Sequence, residues 1–208
     1  NNAYEHVIFS DSHDTAANGL VRLNQAAGHA DASSLNARQE ALLADAITLT
    51  SAGVPLLLQC AEFVQEGAFN DWQELKWENA DKYSGLITAH RHLIDLRLNR
   101  YGNTHGLFGQ NTAIFHQDND NFVLGYHRWD QGGPRDDVLV VVNFSNTELH
   151  NYQVLLPRPG TWIVRFNSSW NGYSDDFKEL TYDSVIAIED EMTTLALPAY
   201  GVVILSQD

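Results

Sequence analysis

The residues of this chain best suited to chemistry stand near its start, where Ser12-His13-Asp14 follows the short apolar run Val7-Ile8-Phe9-Ser10. An imidazole beside a carboxylate supplies a hydrogen-bond donor, an acceptor and a fixed negative charge. That charge favours the protonated form of any acid brought close to it, because a like charge raises a carboxyl pKa. The same Asp, Ser and His residues also make a good exposed turn without any chemistry, and spacing alone leaves both readings open. Further along, Trp72 and Trp77 sit in a polar loop, and Glu62 follows a second apolar run. Glu62 reads equally well as a cleft carboxylate or as a surface carboxylate paired with a cation, and it is left out of the catalytic assignment. His90 and His92, two apart on a helix, project to different faces and cannot readily share a metal. No zinc spacing, phosphate loop or Ser-His-Asp triad in a suitable context accompanies them, so neither a metal nor a cofactor is implied.

The elements that must position these residues change character midway. In the first hundred residues, the strand pattern Val7 to Ser10 runs into the polar turn Asp11 to Asp14. Ser33 or Ser34 can cap a helix in which Leu35, Leu42, Ala46 and Leu49 recur at helical spacing, and Gly53 is a suitable stop. Val54-Pro55-Leu56-Leu57-Leu58-Gln59 is continuously apolar, as expected of a buried parallel strand covered on both faces. Tyr83, Leu86, Ile87, Leu93, Ile94 and Leu96 then mark a second amphipathic helix ending between Asn99 and Gly102. The order is strand, helix, strand, helix. From about Thr104 short alternating strands take over, at 122–129, 138–144, 152–156, 161–166 and 200–205, separated by turns such as Gln131-Gly132-Gly133-Pro134. That half reads as an antiparallel sandwich. No flexible linker separates the halves, so they are expected to pack together.

Composition narrows the partners. The 208 residues are 44% hydrophobic, enough for a substantial core. Twelve Lys and Arg against 27 Asp and Glu leave a formal charge of −15, which opposes nucleic acid and anionic membrane surfaces. The longest apolar stretches, such as Ala52 to Leu58, fall well short of the roughly 20 residues that cross a bilayer. Cys60 is the single cysteine, so no intrachain disulfide forms. The triplets Asn143-Phe144-Ser145 and Asn167-Ser168-Ser169 have the glycosylation pattern and would matter after secretion. No charged-then-apolar leader opens the chain; any targeting segment would belong to sequence outside it, and the cellular address stays open.

Read in order, the strand, Ser12-His13-Asp14, the helix and Gly53-Val54-Pro55-Leu56-Leu57-Leu58-Gln59-Cys60-Ala61-Glu62-Phe63 resemble the end of the catalytic barrel in the alpha-amylase superfamily. There the seventh strand delivers a His-Asp pair and the eighth reads much like this Gly-Val-Pro segment. The second half resembles the superfamily's C-terminal all-beta domain, through Arg158-Pro159-Gly160-Thr161-Trp162, Phe166-Asn167-Ser168 and the closing 198–205 segment. The serine before His-Asp, Gly19, and Phe166-Asn167-Ser168 followed by Tyr173 are similar to glucan branching enzymes, whereas many hydrolases of the superfamily have asparagine at the Ser12 position. Cys60 stands where relatives usually have glycine, and Thr15 where branching enzymes often have an acidic or amide residue.

The resemblance implies an α/β fold followed by an all-β one. Residues 1–103 would be the last two strand-helix units of a TIM (β/α)8 barrel and residues 104–208 a C-terminal antiparallel β-sandwich domain. It implies retaining chemistry on an alpha-1,4-glucan, with a cut piece transferred to a 6-hydroxyl to form an alpha-1,6 branch. In such chemistry a carboxylate nucleophile and an acid stand roughly 5 to 5.5 Å apart. In the superfamily both come from earlier strands, so Asp14 would be a supporting carboxylate that stabilises the transition state and His13 would bind sugar hydroxyls. Trp72 and Trp77 would either stack on sugar faces or pack beneath their loop, and Trp72 is carried forward as a substrate-binding candidate. A closed barrel takes about 250 residues, so the remainder of the barrel would be a necessary partner and this chain inactive alone. Without it, the first half is expected to expose parallel-strand edges and apolar helix faces. An alpha-glucan hydrolase and a non-catalytic glucan-binding or scaffold module are the alternative readings.

Overall fold

The computed structural model describes residues 2–17, 19–26, 31–180 and 184–208. Its first half follows the expected order. Strand β1 (Val7–Phe9) pairs in parallel with β2 (Val54–Leu56), Val7 opposite Val54 and Phe9 opposite Leu56. Between them lie the short helix α1 (Leu23–Ala26) and the long helix α2 (Leu35–Thr50). Ser34 caps α2 by accepting the Ala37 amide on Oγ at 3.3 Å. Gly53 is required where α2 turns into β2: its φ is +142°, and a Cβ there would lie 2.5 Å from Cγ1 of Ile8. After β2 come α3 (Glu78–Lys82) and α4 (Ser84–Arg97).

Two expectations are corrected here. Val54 to Gln59 is a strand only as far as Leu56, and neither strand is buried: Val7, Phe9, Val54 and Leu56 are exposed. A parallel strand is buried when layers cover both faces, and among the described residues β1 and β2 pair only with each other. The exposed strand edges expected of this half are present. The exposed helix faces are not, because α2 and α4 turn Leu42, Ala46, Leu49, Leu86, Leu93 and Leu96 into a core shared with the second half.

That half holds β3 (Asn111–Asp118), β4 (Val123–Trp129), β5 (Val138–Asn143), β6 (Leu149–Val154), β7 (Gly160–Asn167), β8 (Val185–Ala187), β9 (Thr193–Leu197) and β10 (Gly201–Ser206). Six of them form an antiparallel sheet in the order β3-β4-β5-β10-β7-β8, and β6 pairs with β9 separately. The central strands are buried on both faces, which explains their uninterrupted apolar sequence. Val138, Val140, Val142, Val202 and Ile204 face the helices, while Leu139, Val141, Val203 and Leu205 face β6, β9 and Trp162. The molecule is therefore layered as helices, six-stranded sheet and two-stranded ribbon. The expected sandwich is present, but its second sheet has two strands and the helices cover the opposite side.

Polar contacts also tie the halves together. Arg38 of α2 makes a two-pronged ion pair with Asp176 and donates to Ser174 Oγ. Arg128 of β4 and Arg97 of α4 gather carbonyls at the end of α2: Arg128 takes that of Thr50, and Arg97 those of Leu49, Ser51 and Gly53. Both cations sit at the negative end of the helix dipole. Among the described residues, no helix is long and apolar enough to cross a membrane.

Candidate functional site

The parallel register of β1 and β2 brings the turn after β1 and the loop after β2 to the same end of the pair. Asp11 organises the turn. One of its carboxylate oxygens accepts from the Ser12 amide at 3.0 Å and from Thr15 Oγ1 at 2.6 Å, and the other accepts from the Leu23 amide at 3.0 Å. Thr15 also receives the Ser12 amide on its hydroxyl at 2.8 Å and donates its own amide to Ser12 Oγ at 3.2 Å. The threonine that departs from the branching-enzyme pattern thus closes the turn internally.

Asp11 and Ser12 are buried and exposed Thr15 spends its hydroxyl within the turn, which leaves the side chains of His13 and Asp14 outward. Their side chains are 63% and 86% exposed, and His13 Nε2 lies 3.3 Å from Asp14 Oδ1. The His13 ring stands edge-on to Phe69, with centroids 5.8 Å apart, and the Phe69 amide donates to the Ala16 carbonyl at 2.6 Å. The second loop is therefore fastened to the turn beside His13.

A further link runs beneath. Buried Arg22 donates to the Gln59 carbonyl at 2.8 Å and lies near the charges of Asp11 and Glu62. Burial pulls its pKa below the ordinary arginine value, with those acids opposing the shift. Burial likewise pushes the Cys60 thiol up. Cys60 adopts φ 64°, ψ 16°, a left-handed conformation that favours glycine, and this gives the physical reason a glycine suits that position.

Beyond Cys60, Gln65 Oε1 accepts the Lys76 amide at 2.9 Å and Lys76 pairs with Glu66 at 2.5 Å, closing the base of the aromatic loop. The loop borders an open cleft of about 670 Å³, lined by Gln59, Phe69, Asn70, Trp72, Gln73 and Trp77 among others. Trp72 is 94% exposed, and Trp77 is 66% exposed although its ring packs 5.6 Å from that of Phe63. Phe69 is common to this cleft and to the His13 contact, so the structure brings His13, Asp14 and the Trp72 loop into one region. Open aromatic faces beside amides and carboxyls suit a polyhydroxylated ligand, and the exposed imidazole and carboxylate can hydrogen-bond it. Glu62 lies in a short helical turn after β2, near Arg22. The triplet asparagines are committed elsewhere: Asn143 Nδ2 donates to the Thr147 and Pro198 carbonyls, and Asn167 Nδ2 to that of Leu180.

Sequence reasoning did not single out Arg22 or Phe69; it placed Asp11 in the polar turn and marked Thr15 as a departure from the branching-enzyme pattern, without the hydrogen bonds that join the two. Asp11 and Thr15 flank the motif, but Arg22 and Phe69 join it only through contacts that span 37 positions for Arg22 to Gln59.

Comparison with known proteins follows the same division. The family model described as "Alpha amylase, C-terminal all-beta domain" matches residues 114–208. The 1,4-alpha-glucan branching enzyme GlgB of Bradyrhizobium sp. is 31% identical over 163 residues, covering 74% of this chain and 22% of that protein. The branching enzyme of Frankia casuarinae is 29% identical over 175 residues, covering 74% of this chain and 20% of its own length. The chain thus spans about a fifth of the length of these curated relatives. Among solved structures, a pullulanase from Anoxybacillus sp. LM18-11 complexed with maltotetraose superposes with a TM-score of 0.71 at 20% identity, over 99% of this chain and 28% of that one. A type I pullulanase from Bacillus subtilis complexed with maltose gives 0.67 at 19% identity, over 97% and 27%. At such identity the likeness concerns the fold alone. Residues 114–208 thus match the alpha-amylase C-terminal all-beta domain, and over about three quarters of its length the chain is similar to 1,4-alpha-glucan branching enzymes.

Proposed function

We propose that this chain is the C-terminal portion of an alpha-glucan-processing enzyme that forms alpha-1,6 branches by retaining transglycosylation. In this reading residues 1–103 are the last two strand-helix units of a (β/α)8 barrel, and residues 104–208 are its C-terminal all-beta domain. One observation carries it: the exposed His13-Asp14 pair and the Trp72 loop meet, through Phe69, at one end of a parallel strand pair. The ends of strands in parallel α/β folds are where such proteins build their sites.

The chemistry assigns each residue a part. A carboxylate from the remainder of the barrel attacks the anomeric carbon while a second acid protonates the leaving oxygen, and a sugar hydroxyl then takes the glycosyl group. His13 hydrogen-bonds sugar hydroxyls, and Asp14 steadies the distorted, positively charged sugar and keeps the neighbouring acid protonated. Trp72 offers a face for stacking. The exposed Val7, Phe9, Val54 and Leu56 support the need for further strands from the rest of the barrel. Without the nucleophile and acid those strands carry, the chain alone is inactive. The 94% exposure of Trp72 favours a second reading, in which the chain is a glucan-binding module without catalysis.

The test is incubation with linear amylose, following anomeric proton signals by NMR. New alpha-1,6 signals support branching by a sample that includes the remaining strands, and new reducing ends without them mean hydrolysis. Absence of turnover together with a maltotetraose-induced change in tryptophan fluorescence supports the binding module. In a barrel-complete enzyme, Asp14→Asn is expected to lower transfer on the order of 100-fold or more; full activity in that variant would sink the assigned site.

A further inference from the structure

β1 is three residues long and exposes two of them, so strand packing holds the following turn only loosely. A buried polar chain fixes its end instead. Ser10, the residue after β1, donates from Oγ to Asp45 Oδ1 at 2.5 Å. Asp45, on α2, receives His90 Nε2 of α4 on its other oxygen at 3.0 Å. The second ring nitrogen of His90, Nδ1, lies 2.8 Å from the Leu86 carbonyl oxygen. Both ring nitrogens therefore face acceptors, and only the doubly protonated imidazolium can donate to both.

Both side chains are buried, and the two helices otherwise meet through residues such as Leu42, Leu86 and Leu93. Apolar residues could make this contact at least as well, since a buried ion pair adds little net stability over a packed hydrophobic one. Its attachment to Ser10 is thus its distinguishing feature. We infer that His90 and Asp45 are positioning residues, which hold the His13-Asp14 turn through Ser10 and release it when His90 loses its proton. The coupling stands on these hydrogen bonds; its functional meaning rests on the proposed site.

The charged and titratable groups around His90 are Asp45 from α2 and Glu62 from the segment after β2, with Asp11 and Arg22 lining the small cavity on the Asp45 side. Burial by itself lowers the imidazole pKa, but the Asp45 bond and charge, the Leu86 carbonyl and Glu62 outweigh it and raise the value above the histidine norm. A raised folded-state pKa places the stabilisation in full below the unfolded value of about 6.5. It is lost as pH rises through the folded value.

The experiment is an NMR titration of the whole chain from mildly acidic to alkaline pH. It follows the His90 ring, the Ser12 and Thr15 amides, and the cross-relaxation between the His13 and Phe69 rings. The expected result is one shared midpoint for His90 and the turn, with loss of the His13–Phe69 signal above it and unchanged amides in β5 and β10. His90→Gln is expected to abolish that transition at the turn. A turn that stays fixed while His90 deprotonates, or the same transition in the variant, overturns the inference; if the variant fails to fold, the wild-type titration decides. Maltotetraose added to the same samples separates the two readings. Perturbation of His13 that disappears above the shared midpoint supports both, whereas an intact coupling with no sugar effect defeats the site and leaves the positioning in place.

Discussion

Arg128 lies wholly buried in β4 with its guanidinium among main-chain oxygens: those of Asn111 at 3.1 Å, Gly109 at 2.6 Å, Leu107 at 3.5 Å, and Thr50. Burial, with Arg97 nearby, lowers its pKa to about 10, so it remains cationic at neutral pH. Lysine keeps the charge but not the planar fork that serves carbonyls in different directions. Arg128→Lys is expected to cost about 3 kcal/mol, because it strands buried acceptors around a cation with fewer partners; urea unfolding monitored by tryptophan fluorescence measures it. Nothing in the sequence around Arg128 announces this role, since a single arginine within the strand pattern at 122–129 is as readily solvent-facing as buried. The same blindness applies at the candidate site. His13, Asp14 and Trp72 were legible as residue types in a recognisable order. Asp45 was not, and His90 was weighed only as a metal ligand, because the connections of Asp45 to Ser10 and to His90 span 35 and 45 positions.

Among the elements, those with one strong pattern were the easiest to read. α2, α4, β5 and β10 follow their apolar spacing because each buries a defined face or both faces. β3 escaped notice because most of its residues lie at an exposed sheet edge, where no core imposes alternation, and β8 is three residues long. β1 and β2 form the expected strands but are exposed rather than buried, since among the described residues they pair only with each other and an apolar run does not by itself supply the layers that would cover it. One tight junction between elements is also hard to see in sequence. A Cβ on Gly85, in the first turn of α4, would lie 2.3 Å from the Tyr173 carbonyl oxygen and 2.9 Å from that of Gly172. Alanine is the better helix former by about 1 kcal/mol, yet this backbone contact cannot yield without moving the helix. Gly85→Ala is therefore expected to destabilise by about 1 to 3 kcal/mol, with amide shifts concentrated in 171–176 and α4 as the second readout.

At the scale of the molecule, the six-stranded sheet serves two cores, one with the helices and one with the β6-β9 ribbon. The proposed division at residue 103 falls between the helices and the sheet they cover. Expressed alone, residues 104–208 would present Val138, Val140, Val142, Val202 and Ile204 to water, an apolar face large enough to drive association. Such a fragment is expected to bind a hydrophobic dye and to unfold without a cooperative transition, whereas the full chain unfolds cooperatively; calorimetry and dye fluorescence on the two proteins check this. Sequence change of character and folding unit thus do not coincide: the pattern shifts near Thr104, but the packing does not. For anyone exchanging this all-beta module between related proteins, the transferable piece is the sheet together with α2 and α4. A graft that respects only the boundary drawn from sequence would leave the recipient's helices to match a surface they did not evolve against.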